Sequence, residues 1–91
     1  MFWRRRRADD TTGGPRIVLI GRPGCHLCDE AEEVIVRVAA ATATEWVKRS
    51  VDDDPNLRDR WGDLVPVILV DGRPHDFYRV SEARLRAALR A

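Results

Sequence analysis

Cysteine is scarce in this chain, with two among 91 residues. That number excludes the multi-bridge framework on which small exported domains depend. Histidine is equally scarce, at His26 and His75, which leaves a structural zinc site short of the paired Cys and His clusters it normally draws on. An iron–sulfur site shared by two copies lacks ligands for the same reason, and no metal is expected. Long apolar runs are absent, and nothing approaches the roughly 20 residues of a membrane-spanning helix. A secretory leader is not expected either. Its apolar core should follow the basic start, but Asp9, Asp10, Thr11 and Thr12 stand there. Lysine occurs once, at Lys48, so arginine supplies nearly all of the 16 basic side chains, and 15 acidic ones bring the net charge to +1. Rich in arginine, alanine, valine and aspartate, the composition reflects a GC-rich genome rather than the basic footprint of a nucleic-acid binder.

What is present suffices for one hydrophobic core and not for two. Residues 1–14 differ in kind from the rest: Phe2 and Trp3, then Arg4 to Arg7, then a polar run into Gly13 and Gly14. They read as a disordered basic tail, and residues 15–91 as the folded domain. Four arginines with Phe2 and Trp3 as anchors suit nucleic acid or an anionic membrane. A short terminal charge run is more simply explained as solvated, and neither partner is expected.

From Pro15 onward the pattern is regular. Ile17, Val18, Leu19 and Ile20 form an apolar run ended by Gly21, as in a strand buried on both faces. After the loop Arg22-Pro23-Gly24, a helix is predicted from Cys25, with Leu27, Ala31, Val34, Ile35 and Val38 at helical spacing, fading near Thr42. A β-favouring stretch runs from Glu45 to Val51. Asp52 to Asp54 before Pro55 cap a short helix through Leu57 and Trp61, which stops at Gly62. Val65 to Val70 is a second buried strand, Asp71-Gly72 a tight hairpin turn, and the return strand holds Phe77, Tyr78 and Val80. Ser81 can cap a last helix with Leu85, Ala88 and Leu89 on one face. Strands one and two, joined by a long helix, must be parallel, and strands three and four antiparallel. The fold class is therefore α/β, a mixed four-stranded sheet flanked by three helices.

Both cysteines fall at the junction between the first strand and its helix. Cys25 at the helix start and Cys28 one turn later share a face and can close a disulfide. The unpaired amides of the first turn and the positive end of the helix dipole favour a Cys25 thiolate, the species that attacks disulfides. His26 has two readings: protonated, it stabilises that thiolate and makes the couple more oxidising, or it points into water. Leu27 begins the apolar stripe and is expected in the core. Trp46 and Trp61 read as packing residues, with Trp61 leading toward Pro66. Asp29 and Glu30 complement the helix dipole. A merely structural staple would be expected in a secreted domain with more cysteines.

The element order with Cys-x-x-Cys at this junction resembles the thioredoxin fold in its minimal glutaredoxin form, over residues 16–90. More narrowly, Arg-Pro-Gly-Cys-His-Leu-Cys-Asp-Glu-Ala, with Asp-Pro-x-Leu and Gly-Asp-x-Val-Pro-Val downstream, is similar to a bacterial group of small glutaredoxin-like proteins. The resemblance implies that Pro66 is cis and that the Val65 backbone hydrogen-bonds the extended peptide of a bound thiol partner. It also implies that Arg22, three before the first cysteine, helps to hold the thiolate and a substrate carboxylate. His26-Leu27 stands where relatives commonly carry Pro-Tyr between the cysteines, so the resemblance implies that these two residues tune the redox potential. Val80-Ser81-Glu82 stands where glutathione-binding relatives carry Gly-Gly and Asp. Ser81 can offer its hydroxyl to a ligand, but the close backbone approach of glycine is absent. The small thiol co-substrate is thus glutathione or another, such as mycothiol.

These readings converge on a cytoplasmic, monomeric thiol-disulfide oxidoreductase acting on disulfides of proteins or small thiols. Cys25 is its nucleophile, Cys28 its resolving thiol, and no dissociable cofactor is needed. The alternative is an adaptor or redox sensor that docks a protein through the Val65-Pro66 groove without turnover.

Overall fold

The computed structural model describes residues 14–90, so residues 1–13 of the expected tail, the arginine run among them, lie outside the described residues. Five residues of the first apolar run, Ile17–Gly21, make strand β1, and helix α1 follows over His26–Thr42. Strand β2 covers Trp46–Ser50, and a single 3-10 turn at Val51–Asp53 leads into helix α2, Pro55–Trp61. Strands β3, Val67–Val70, and β4, Arg73–Phe77, precede helix α3, Glu82–Arg90. The sheet order is β2-β1-β3-β4, with β1 and β2 parallel and the other two pairs antiparallel.

Alternation along β1 and β3 divides the core between the two sheet faces, because successive side chains of a strand point to opposite sides. Ile17 and Leu19 of β1, with Ile68 and Val70 of β3, pack against Ala31, Ile35 and Val38 of α1 and Leu85 and Leu89 of α3. Ile20 and Val67 instead join Val51, Trp61, Val65 and Cys28 in a second cluster. The cysteine pair therefore sits on the rim of a core. Arg16 fastens the opposite end of the sheet: its guanidinium donates two 2.9 Å hydrogen bonds to the Asp71 carboxylate and one of 3.1 Å to the Leu89 carbonyl. Those bonds hold the Asp71 carboxyl below its ordinary range. Glu82 likewise accepts from Arg86 and Arg37, which lowers its carboxyl and ties α3 to α1.

Three boundaries depart from expectation. Cys25 is the cap of α1 rather than its first residue, with extended backbone and a side chain that accepts the Cys28 N–H. The strand after the Val65-Pro66 pair begins at Val67, so both residues precede β3 instead of opening it. The return strand stops at Phe77, because Tyr78 adopts a left-handed φ of 66°. In that geometry the Tyr78 N–H donates to the Pro66 carbonyl at 2.8 Å, and the Arg79 N–H closes a γ-turn onto the Phe77 carbonyl. A bulky residue with positive φ costs on the order of 1–3 kcal/mol, which neighbouring bonds must offset. The turn at Asp71-Gly72 is as expected, and φ is positive at both residues, the type I′ geometry that Asp-Gly favours.

Candidate active site

Helix capping creates the site. The Cys28 N–H, an amide without an intrahelical partner, donates to the Cys25 sulfur at 3.1 Å. The structure holds Cys25 and Cys28 as a disulfide, their Cα atoms 5.2 Å apart, within the ordinary spacing for such a bridge. Their surroundings differ. Cys25 is half-buried, whereas Cys28 is 6% exposed among Ile20, Val51, Trp61, Val65 and Val67. A thiol at position 25 meets both solvent and the helix terminus, and one at 28 meets mainly hydrocarbon.

Gly21 makes the packing possible, a role not evident in the sequence, where it only ends a strand. A Cβ there would lie 3.0 Å from the Cys28 sulfur. Its signal is position: the last residue of β1, seven before Cys28, is the point where the strand end passes under the first turn of the helix. Arg22 is exposed and shares with Cys28 a cleft of about 270 Å³ whose wall also includes Lys48, Arg49 and Asp53.

On the other approach, the Val65–Pro66 peptide bond is cis. Val65 is 8% exposed and Pro66 is fully buried. Among the described residues no hydrogen bond engages the Val65 backbone, whereas the Pro66 carbonyl is taken by Tyr78. Trp61 is core, as expected, and its ring lies 6.2 Å from Phe77. The Tyr78 hydroxyl donates to the Asp63 carbonyl at 3.4 Å, bracing the loop that leads to Val65.

The remaining expected residues sit apart from the sulfurs. The His26 side chain is 86% exposed and its Nε2 lies 3.1 Å from Glu30, whose other oxygen meets Arg79 at 3.3 Å. The ring therefore stands in water beside Glu30. Leu27 is half-buried and lines a small hollow with Tyr78, Arg79 and Val80, and it belongs to neither core cluster. Ser81 caps α3: its hydroxyl accepts the Arg84 N–H at 3.2 Å while its own amide donates to Asp76. Among the described residues no three His, Cys, Asp or Glu side chains group as metal ligands, and no helix is long and apolar enough to cross a membrane.

Known proteins share this fold. Residues 16–90 match the family model described as glutaredoxin-like domain (DUF836). Uncharacterised proteins of Mycobacterium bovis and Mycobacterium tuberculosis are 35% identical over 78 residues, covering 80% of this chain and 80% of theirs. The X-ray structure of a structural-genomics target protein from X. campestris aligns with a TM-score of 0.67 and 33% identity, over 81% of this chain and 95% of that one. A glutaredoxin crystal structure from Archaeoglobus fulgidus aligns over 94% of this chain and 98% of its own with a TM-score of 0.60. At 16% identity it establishes the fold alone, a thioredoxin-like sheet with three helices.

Proposed function

Because the chain belongs to the glutaredoxin-like domain family DUF836, we propose that it is a thiol-disulfide oxidoreductase in which Cys25 attacks and Cys28 resolves. One observation carries this reading: the Cys25 sulfur caps α1 and receives the Cys28 N–H, while Cys28 is enclosed by apolar side chains. A helix terminus stabilises a thiolate and an apolar shell disfavours one, so the pair is chemically unequal in the way the reaction requires.

In the first step the Cys25 thiolate attacks a substrate disulfide R–S–S–R′, forming Cys25–S–S–R and releasing R′S⁻. Cys28 then loses its proton and attacks the Cys25 sulfur, closing the internal disulfide and releasing RS⁻. The substrate gains two electrons and the protein loses two. The uncommitted N–H and C=O of Val65 give an extended substrate segment its register beside the disulfide, and Arg22 offers a charge to a substrate carboxylate. Ser81 is already engaged as a helix cap, and its hydroxyl proton remains for a ligand. The substrate is a protein or small-thiol disulfide. No dissociable cofactor enters, and a reducing compartment such as the cytoplasm suits a dithiol that must be regenerated.

The test is a pair of serine substitutions assayed on a disulfide-bearing peptide. Cys25→Ser is expected to reduce turnover to background. Cys28→Ser is expected to accumulate a mixed disulfide at Cys25, identified by mass. Full activity in the Cys25→Ser protein would overturn the assignment.

A further inference from the structure

Tyr78 keeps a backbone conformation that its side chain disfavours. Its φ is 66°, and among the described residues only Ala43 and Asp71 join it at positive φ without being glycine. Ala43 is the left-handed cap that ends α1, and Asp71 stands in the Asp-Gly turn. Tyr78 is instead the middle of a γ-turn, closed by the Arg79 N–H on the Phe77 carbonyl, and with positive φ that turn is of the strained kind. Glycine or asparagine would take the same shape at less cost. A bulky residue kept there points to a task for its side chain.

Its N–H and its hydroxyl both reach the strap that precedes β3. The N–H donates to the Pro66 carbonyl at 2.8 Å, and the hydroxyl donates to the Asp63 carbonyl at 3.4 Å. These two contacts fall on either side of Val65, whose own N–H and C=O are uncommitted among the described residues. The Tyr78 side chain is 47% exposed and belongs to neither core cluster, so it adds little to the packed interior. What it does hold is the strap.

Resting on the oxidoreductase reading above, we propose that Tyr78 is a positioning residue for peptide substrates. By holding the strap at Asp63 and at Pro66, it fixes the free N–H and C=O of Val65 in the register that an extended segment beside the substrate disulfide requires. A main-chain donor and acceptor held in place before binding lose less freedom when the substrate arrives. Tyr78 acts on binding, and the exchange itself belongs to Cys25 and Cys28. A disulfide without a peptide chain makes no use of the Val65 main chain and is indifferent to Tyr78. The residue therefore sets the preference for disulfides of peptides over small disulfides.

The test mixes the pre-reduced full-length protein with an excess of one of two disulfides and follows thiol loss by rapid quenching and alkylation. One is the disulfide-linked dimer of the blocked peptide Ala-Ala-Cys-Ala-Ala, which offers main chain and little else, and the other is bis(2-hydroxyethyl) disulfide. Tyr78→Asn tolerates the positive φ and removes the ring. It should raise the half-saturating peptide concentration about tenfold and leave the limiting rate within about twofold, the pattern of lost binding rather than lost chemistry. Its rate with bis(2-hydroxyethyl) disulfide should not change, and its melting temperature should hold or rise as the strain is relieved. Tyr78→Phe loses only the long hydroxyl contact and should stay within about threefold of the wild type on the peptide. An unchanged half-saturating concentration in Tyr78→Asn would overturn the positioning role. So would an equal loss of rate on both disulfides together with a lower melting temperature, the mark of a merely structural residue. Wild-type protein that reduces neither disulfide would instead overturn the oxidoreductase reading on which the role depends.

Discussion

Cys25 and Cys28 have the same side chain and unlike surroundings. One receives a main-chain N–H at a helix start, and the other is packed against Ile20, Trp61 and Val67. Neighbouring side chains add less. His26 stands between the cysteines, yet its ring is turned into water toward Glu30, whose second oxygen is shared with Arg79. Exposed ion pairs of this kind are worth roughly 0–1 kcal/mol. His26→Ala is accordingly expected to change the equilibrium constant with a reference thiol by less than about tenfold, some 30 mV. Potential measurements on the two proteins check this, and a larger displacement would make His26 a tuning residue.

At the level of single elements, the tie between Arg16 and the β3–β4 turn carries a pH dependence. Hydrogen bonding from Arg16 depresses the folded-state ionisation of Asp71. Its contribution is therefore present above the unfolded carboxylate range near pH 4 and is lost as pH falls through the lower, folded-state value. Both groups are well exposed, so the amount is about 0.5–1 kcal/mol. Asp71→Asn keeps a residue that tolerates positive φ in the turn. It should lower stability by that amount at pH 7 and flatten the acid limb of an unfolding profile between about pH 5 and 2. Ser81→Ala removes the α3 cap and should cost about 1 kcal/mol in chemical denaturation.

The same elements divide into those that sequence pattern reveals and those it does not. The Ile17–Ile20 run, the α1 stripe, Asp54-Pro55 and Asp71-Gly72 carry local signals, and each element formed where those signals stood. Pro66 and Tyr78 fall outside the strands that their neighbours predict, and their backbones bond to each other across the chain. Tyr78 turns left-handed while bonded to Pro66 and Asp63, 12 and 15 positions away, and no local periodicity encodes that contact. The cysteine pair was legible for the opposite reason, being a three-residue spacing on one helix turn. The cleft was not, since its wall gathers Gly21, Arg49 and Asp53 from separate elements.

Across the whole molecule, one sheet serves two purposes. Its α1–α3 face is a closed apolar core, and its other face ends in the cluster that encloses Cys28. Leu85, fully buried on the first face, should cost about 2–5 kcal/mol when replaced by alanine. Equilibrium denaturation of that variant in the oxidised and reduced states separates its packing contribution from that of the disulfide. The proposed oxidoreductase reaction asks more of the second face, because it requires the bond between Cys25 and Cys28 to open and close while the chain stays folded.

That requirement is tested most directly by equilibrating the folded protein in thiol buffers of defined potential and counting free thiols by alkylation. A reversible two-electron couple for Cys25 and Cys28 between about −270 and −120 mV, the range of related oxidoreductases, is the predicted result. A pair that never forms the disulfide, or one that resists reduction until the chain unfolds, would contradict it.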